Sequence, residues 1–146
     1  MVPVSTPEEG AVALAQKMFD LAREGRTAEL TGYLDAGAPV NLTDAKGDTL
    51  LILAAYHQQP DAVAALLERG ADVERLNDRG QNALVCAVFR QDGAIVRQLI
   101  AAGADPDGGR PSARATAEYF QLPDMSALMA PAPPGSPKKP GSPNKP

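Results

Sequence analysis

The chain has 146 residues, 44% of them hydrophobic, which is enough for one packed domain with residues to spare; aromatics are only 4% and Trp is absent, so Ala and Leu must fill the core, favouring closely packed helices over a sheet. All 18 acidic residues but only 11 of the 14 basic ones precede Ala130, so this part is acidic enough to repel a phosphate backbone and nucleic acid is not an expected partner. One cysteine, Cys86, excludes an intramolecular disulfide framework, and no apolar run approaches the roughly 18 residues that span a membrane.

The chain opens on MVPVSTPEEG, without the basic start and apolar segment of a secretory signal, which makes a cytoplasmic location the expectation and residues 1–7 a flexible N-terminus. Glu8 to Arg23 follows as an amphipathic helix, with Val12, Ala15, Met18, Phe19 and Ala22 at helical spacing. Gly25 breaks it, and Thr27 to Ala36 forms a second helix with Leu30 and Leu34 facing inward.

From here an internal repeat governs the chain. Gly37-Ala38, Gly70-Ala71 and Gly103-Ala104 recur at one constant interval, and Gly47 and Gly80 are separated by the same interval. Leu51 matches Leu84, Ala54 matches Ala87, Val63 matches Val96, and Leu66-Leu67 matches Leu99-Ile100. Thr49 and Asn82 are N-caps for a first helix of two to three turns in each unit. Gln58-Gln59-Pro60 and Gln91-Asp92-Gly93 then break that helix, and Asp61 is expected to cap the second one, built on Val63, Leu66 and Leu67. Gly70 and Gly103 stand where a helix stop requires positive φ. The stretch from Ala71 to Gly80, with its turn at Asn77-Asp78, reads as an extended hairpin leading into the next unit.

The last unit is a shortened copy. Aligning Gly109 on Gly80 puts Met125, Leu128 and Met129 on Val96, Leu99 and Ile100, and replaces Val85 and Cys86 by Arg114 and Ala115, as suits a more polar terminal layer. Beyond it the prolines crowd together, at Pro131, Pro133, Pro134, Pro137, Pro140, Pro143 and Pro146, and the hexad from Gly135 returns from Gly141. A disordered tail with polyproline II tendency is expected over 130–146. Its Pro137-Lys138-Lys139-Pro140 has the spacing that proline-reading domains recognise, with a passive solubilising extension as the plainer reading.

The repeating helix-turn-helix-hairpin unit, with its period of about 33 residues, resembles the ankyrin repeat. Asp48-Thr49, Leu51, Leu53-Ala54-Ala55, Leu66-Leu67 and the runs Gly70-Ala71-Asp72 and Gly103-Ala104-Asp105 carry the resemblance. The family's Thr-Pro-Leu-His tetrad stands here as Thr49-Leu50-Leu51-Ile52 and Asn82-Ala83-Leu84-Val85, without its Pro and His. The resemblance implies an all-α solenoid of stacked helix-turn-helix units with short hairpin loops over residues 8–129. Its parts are an N-terminal cap unit at 8–37, full repeats at 38–70 and 71–103, and a truncated C-terminal cap at 104–129. It also implies that partner contacts come from the hairpin tips and the ends of the first helices, on the concave face. Carried over by position, the tips are Ala45, Lys46 and Asp48, then Asp78, Arg79 and Gln81; one first-helix row is Arg23, Tyr56, Phe89 and Glu118, and its neighbour Glu24, His57, Arg90 and Tyr119.

The residues offer little for catalysis. His57 is the single histidine, and one His with one Cys does not make a zinc site. Cys86 falls on the inward position that Leu53 holds one repeat earlier and reads as a small core residue. An enzyme, a cofactor and a metal are therefore not expected. The expected function is a protein–protein interaction module, monomeric, binding another protein on its concave face; the alternative is a regulatory or inhibitory subunit that masks the active site of a partner enzyme or toxin. The partner-binding residues expected are Arg23, Lys46, Asp48, Tyr56, His57, Arg79, Gln81, Phe89, Arg90 and Tyr119, with Tyr56 and Phe89 as anchors facing solvent. Two alternatives stay open at this point: the two rings fold down against their own repeats, and His57 is either a pH-responsive contact or a merely exposed helix-end residue.

Overall fold

The computed structural model describes residues 7–129, and among these the chain winds as α1 (Pro7–Glu24), α2 (Thr27–Asp35), α3 (Leu50–Tyr56), α4 (Pro60–Glu68), α5 (Ala83–Phe89), α6 (Gly93–Ala101), α7 (Ala113–Tyr119) and α8 (Pro123–Met129). The expected flexible start and the Pro-rich tail at 130–146 lie outside the described residues, except that Pro7 opens α1. Consecutive helices pair as four layers. First helices stack on first helices, from α1 through α3 and α5 to α7, and second helices on second, from α2 through α4 and α6 to α8. The architecture is the all-α solenoid expected.

Local chemistry fixes each layer. The Thr49 hydroxyl accepts from Ile52 N at 3.0 Å, Asn82 Oδ1 from Val85 N at 2.9 Å and Ser112 Oγ from Ala115 N at 3.0 Å, so α3, α5 and α7 share one type of start. Their inward faces carry Ala54, Ala87 and Ala117, all without exposed surface, small enough to let successive first helices approach closely. Leu30, Leu66 and Leu99 close the second-helix side, and each fully buried Leu of this kind is worth about 1.5–3 kcal/mol of removed apolar surface. Gly70 and Gly103 end α4 and α6 at φ of 83° and 97°, the left-handed stop predicted for them.

Hairpin tips are tied from layer to layer through the backbone. Asp78 N donates to Lys46 O at 3.0 Å, and Arg110 N to Gly80 O at 2.8 Å. The hairpins themselves are turns with isolated bridges, Thr43 with Thr49 and Gly109 with Ser112, rather than extended ladders.

Three expectations need correction. Asp61 does not cap α4: Gln59 holds the N-cap position without a side-chain bond and Pro60 occupies the first turn, its missing N–H costing nothing there. Val12 is 62% exposed, so the buried stripe of α1 begins at Met18 and Phe19. The register of the last layer is also one position off. Its N-cap is Ser112, where alignment of Gly109 on Gly80 would put Pro111. Arg110 and Pro111 both stand between that glycine and the cap, whereas Gln81 alone separates Gly80 from Asn82. Tyr119, not Glu118, therefore matches Phe89; Phe120, not Tyr119, matches Arg90; and Met125 and Met129 take the places of Ile95 and Leu99.

Candidate concave binding site

The open side of the first helices and the hairpin tips beside them enclose a groove of about 300 Å³. Arg23 comes to it from α1, Ile52, Leu53 and Tyr56 from α3, His57 from the end of α3, and Cys86 from α5. Asp44, Lys46 and Asp48 line it from one tip, and Asn77, Arg79 and Gln81 from the next. Seven of the ten expected partner-binding residues thus share one depression: Arg23, Lys46, Asp48, Tyr56, His57, Arg79 and Gln81. Phe89, Arg90 and Tyr119 stand outside its lining, on the layers beyond.

The tips owe their shape to two residues, Asp44, which the sequence reading did not single out, and Asn77, which it expected only as part of a turn. Asp44 Oδ1 accepts from the amides of Lys46 and Asp48, both at 2.9 Å, and Asn77 Oδ1 accepts from Arg79 and Gln81 at 2.9 and 3.0 Å. Asp44 and Asn77 stand one repeat apart, and each lies three positions before a glycine of positive φ, Gly47 and Gly80, a recurring Asx-turn signal that was present in the sequence. Asp48 differs from the exposed tip residue expected: it is 7% exposed, and its Oδ1 accepts from Asn77 Nδ2 at 2.8 Å, joining two tips.

The aromatic residues are exposed but not bare. Tyr56, 38% exposed, meets the His57 ring edge-on at 5.2 Å, and the Arg90 guanidinium lies 5.1 Å from its centroid. Arg90 also donates to Gln58 Oε1 at 3.1 Å. Phe89, 46% exposed, turns instead toward Phe120, edge-on at 5.6 Å, and Phe120 in turn meets Tyr119 at 4.9 Å. Tyr119 is 80% exposed. Phe120, absent from the expected residues because of the register slip, completes an apolar cluster at the C-terminal end of the row.

Electrostatics separates Cys86 from His57 within the groove. Burial pushes the Cys86 thiol up to about 12, with the Asp48 carboxylate adding to the rise and Arg79 opposing it, so the sulfur stays protonated and inert at neutral pH. Partial burial holds His57 below its ordinary value, helped by the charges of Arg23 and Arg90 and opposed by Asp48. No group of three His, Cys, Asp or Glu side chains capable of holding a metal occurs among the described residues, and no helix there is long and apolar enough to cross a membrane.

Comparison with known proteins agrees with this geometry. The family model of ankyrin repeats, in three copies, matches residues 18–108, which runs from the buried part of α1 to the hairpin before α7. A Pseudomonas aeruginosa protein named for its ankyrin repeats is 49% identical over 47 residues. That stretch is 32% of this chain and only 28% of the relative, so the match is to part of a longer protein.

Proposed function

The chain belongs to the ankyrin repeat family, whose repeats are generic protein-interaction modules, and on that premise we propose that its concave groove receives another protein. The observation that carries the reading is the convergence of Arg23, Lys46, Tyr56, His57, Arg79 and Gln81 on one depression, with Phe89 and Tyr119 exposed along the same row. Aromatic and Arg side chains supply much of the energy of protein interfaces, and here they are held by rigid helix ends. We read residues 8–129 as the interaction domain, with its first and last helix pairs serving as caps.

Replacing Tyr56 and Phe89 together by Ala tests this. Both rings are exposed, so the helical circular dichroism should persist, while capture of a partner from the native cell extract should weaken by roughly 2 kcal/mol or more. Unchanged capture by a folded double variant would refute the concave-face reading.

A further inference from the structure

The groove's two carboxylates are satisfied within the fold, and three of its neighbouring cations are not. Asp44 is held by the two amides of its own turn and by Arg23, whose guanidinium lies 3.8 Å away; Asp48 is buried against Asn77. Lys46 and Arg79 project from the tips, and Arg90 lies over Tyr56; all three are exposed. None of them forms an ion pair with a described carboxylate; Arg26, Arg69 and Arg114 elsewhere on the stack do, while Lys17, Arg75, Arg97 and Arg110 likewise form none, so it is the convergence of the three at one groove that sets them apart. In a domain with 18 acids against 11 bases before Ala130, this gathers a local excess of positive charge at the groove.

We propose that the groove takes an acidic segment of the partner protein, with Lys46, Arg79 and Arg90 meeting its carboxylates and Tyr56 meeting an apolar side chain between them. The proposal rests on the concave face being the binding surface, and it adds the chemistry of the occupant. The same cations would attract a nucleic acid. A phosphate backbone, however, runs beyond the groove onto the surrounding acids, while a peptide of a few residues stays within it.

His57 reports the occupant. The charges facing it are Arg23 from α1, Arg90 at the end of α5 and Asp48 from the adjoining tip, and the two arginines outweigh the acid in setting its protonation. Carboxylates entering the groove would offset those arginines and raise the imidazole's pKa. As the chain's single histidine, it gives one imidazole spin system, whose titration needs no assignment.

The full chain would be titrated with the peptide acetyl-Glu-Glu-Leu-Glu-Glu-amide, its lysine counterpart, and a thymidine hexanucleotide. Saturable binding of the acidic peptide alone is expected, with an upward shift of the His57 titration and loss of affinity as NaCl is raised. Lys46→Ala with Arg79→Ala should weaken binding about fivefold or more at an unchanged melting temperature, and Arg79→Lys alone should largely retain it. No binding, equal binding of the lysine peptide, or preference for the oligonucleotide overturns the proposal. If the acidic peptide fails while Tyr56→Ala with Phe89→Ala still abolishes partner capture, the charge assignment alone is wrong. If the acidic peptide binds while that capture is unaffected, the concave-face reading is the one that fails.

Discussion

At Asn82 one side chain does two things of opposite sign. Its Oδ1 caps α5, but the residue is fully buried and Nδ2 finds no acceptor among the described residues. Thr49 fills the matching site of the previous layer with a cap and a single rotatable hydroxyl proton, where the Asn amide brings two fixed N–H donors. Exchanging them separates the effects: Asn82→Thr should raise stability by about 1 kcal/mol by removing an unpaired buried N–H, and Thr49→Asn should lower it by a similar amount. Urea unfolding at constant slope reads both, and the idea fails if Asn82→Thr is the destabilising change. Caps of this kind were legible in the sequence because a Thr or Asn ahead of an apolar run acts within one turn. Asp48 was not, since its burial is decided by Asn77, 29 residues away, and nothing local announces that pairing.

Helices and their breaks obey a tighter rule than spacing alone. Where α1 ends the chain turns left-handed at Gly25, φ 73°, and the three later layers do the same at Gln58, Gln91 and Gln121, φ 57–60°. Gly25 cannot follow them cheaply: a Cβ there would meet the Gln59 side-chain amide, whose Nε2 donates to Arg23 O at 2.8 Å. Gly25→Ala should therefore cost about 1–2 kcal/mol in a thermal or urea melt, whereas Gln58→Gly should change stability by no more than about 0.5 kcal/mol, strain relief balancing added freedom in the unfolded chain. Equal losses at the two sites would contradict this account. The alignment of Gly25 on Gln58 could be read from the sequence because both break a periodic helix. The slip in the last layer could not, because Gly109 matches Gly80 well and the extra residue sits just after it, beside Pro111, where no apolar period marks the gap.

Taken whole, the principal helix contacts join each layer only to the next, so stability should be assembled from neighbouring interfaces. Met125 belongs to the terminal layer and is 7% exposed. Met125→Ala is expected to cost about 2 kcal/mol and to quicken amide hydrogen exchange in α7 and α8 while leaving α3 to α6 protected. A uniform loss of protection would mean that the stack opens as a single unit. Period and glycines made this architecture readable from the sequence, since they recur; the groove's local positive charge was harder to see, because Lys46, Arg79 and Arg90 are scattered along the chain and only the fold brings two tips and the end of α5 together. Those tips are fastened backbone to backbone, Asp78 to Lys46 and Arg110 to Gly80. Because first helices stack directly on first helices, equivalent side chains should recur at the usual helix-packing distance, roughly 8–10 Å. A strand shows the same face every ~7 Å and drifts out of phase within a layer or two. A polyproline II chain, with three residues per turn at ~3.1 Å each, repeats every ~9 Å. The stack is commensurate with that second conformation, so a linear ligand bearing an acid at every third residue would keep step with it from tip to tip.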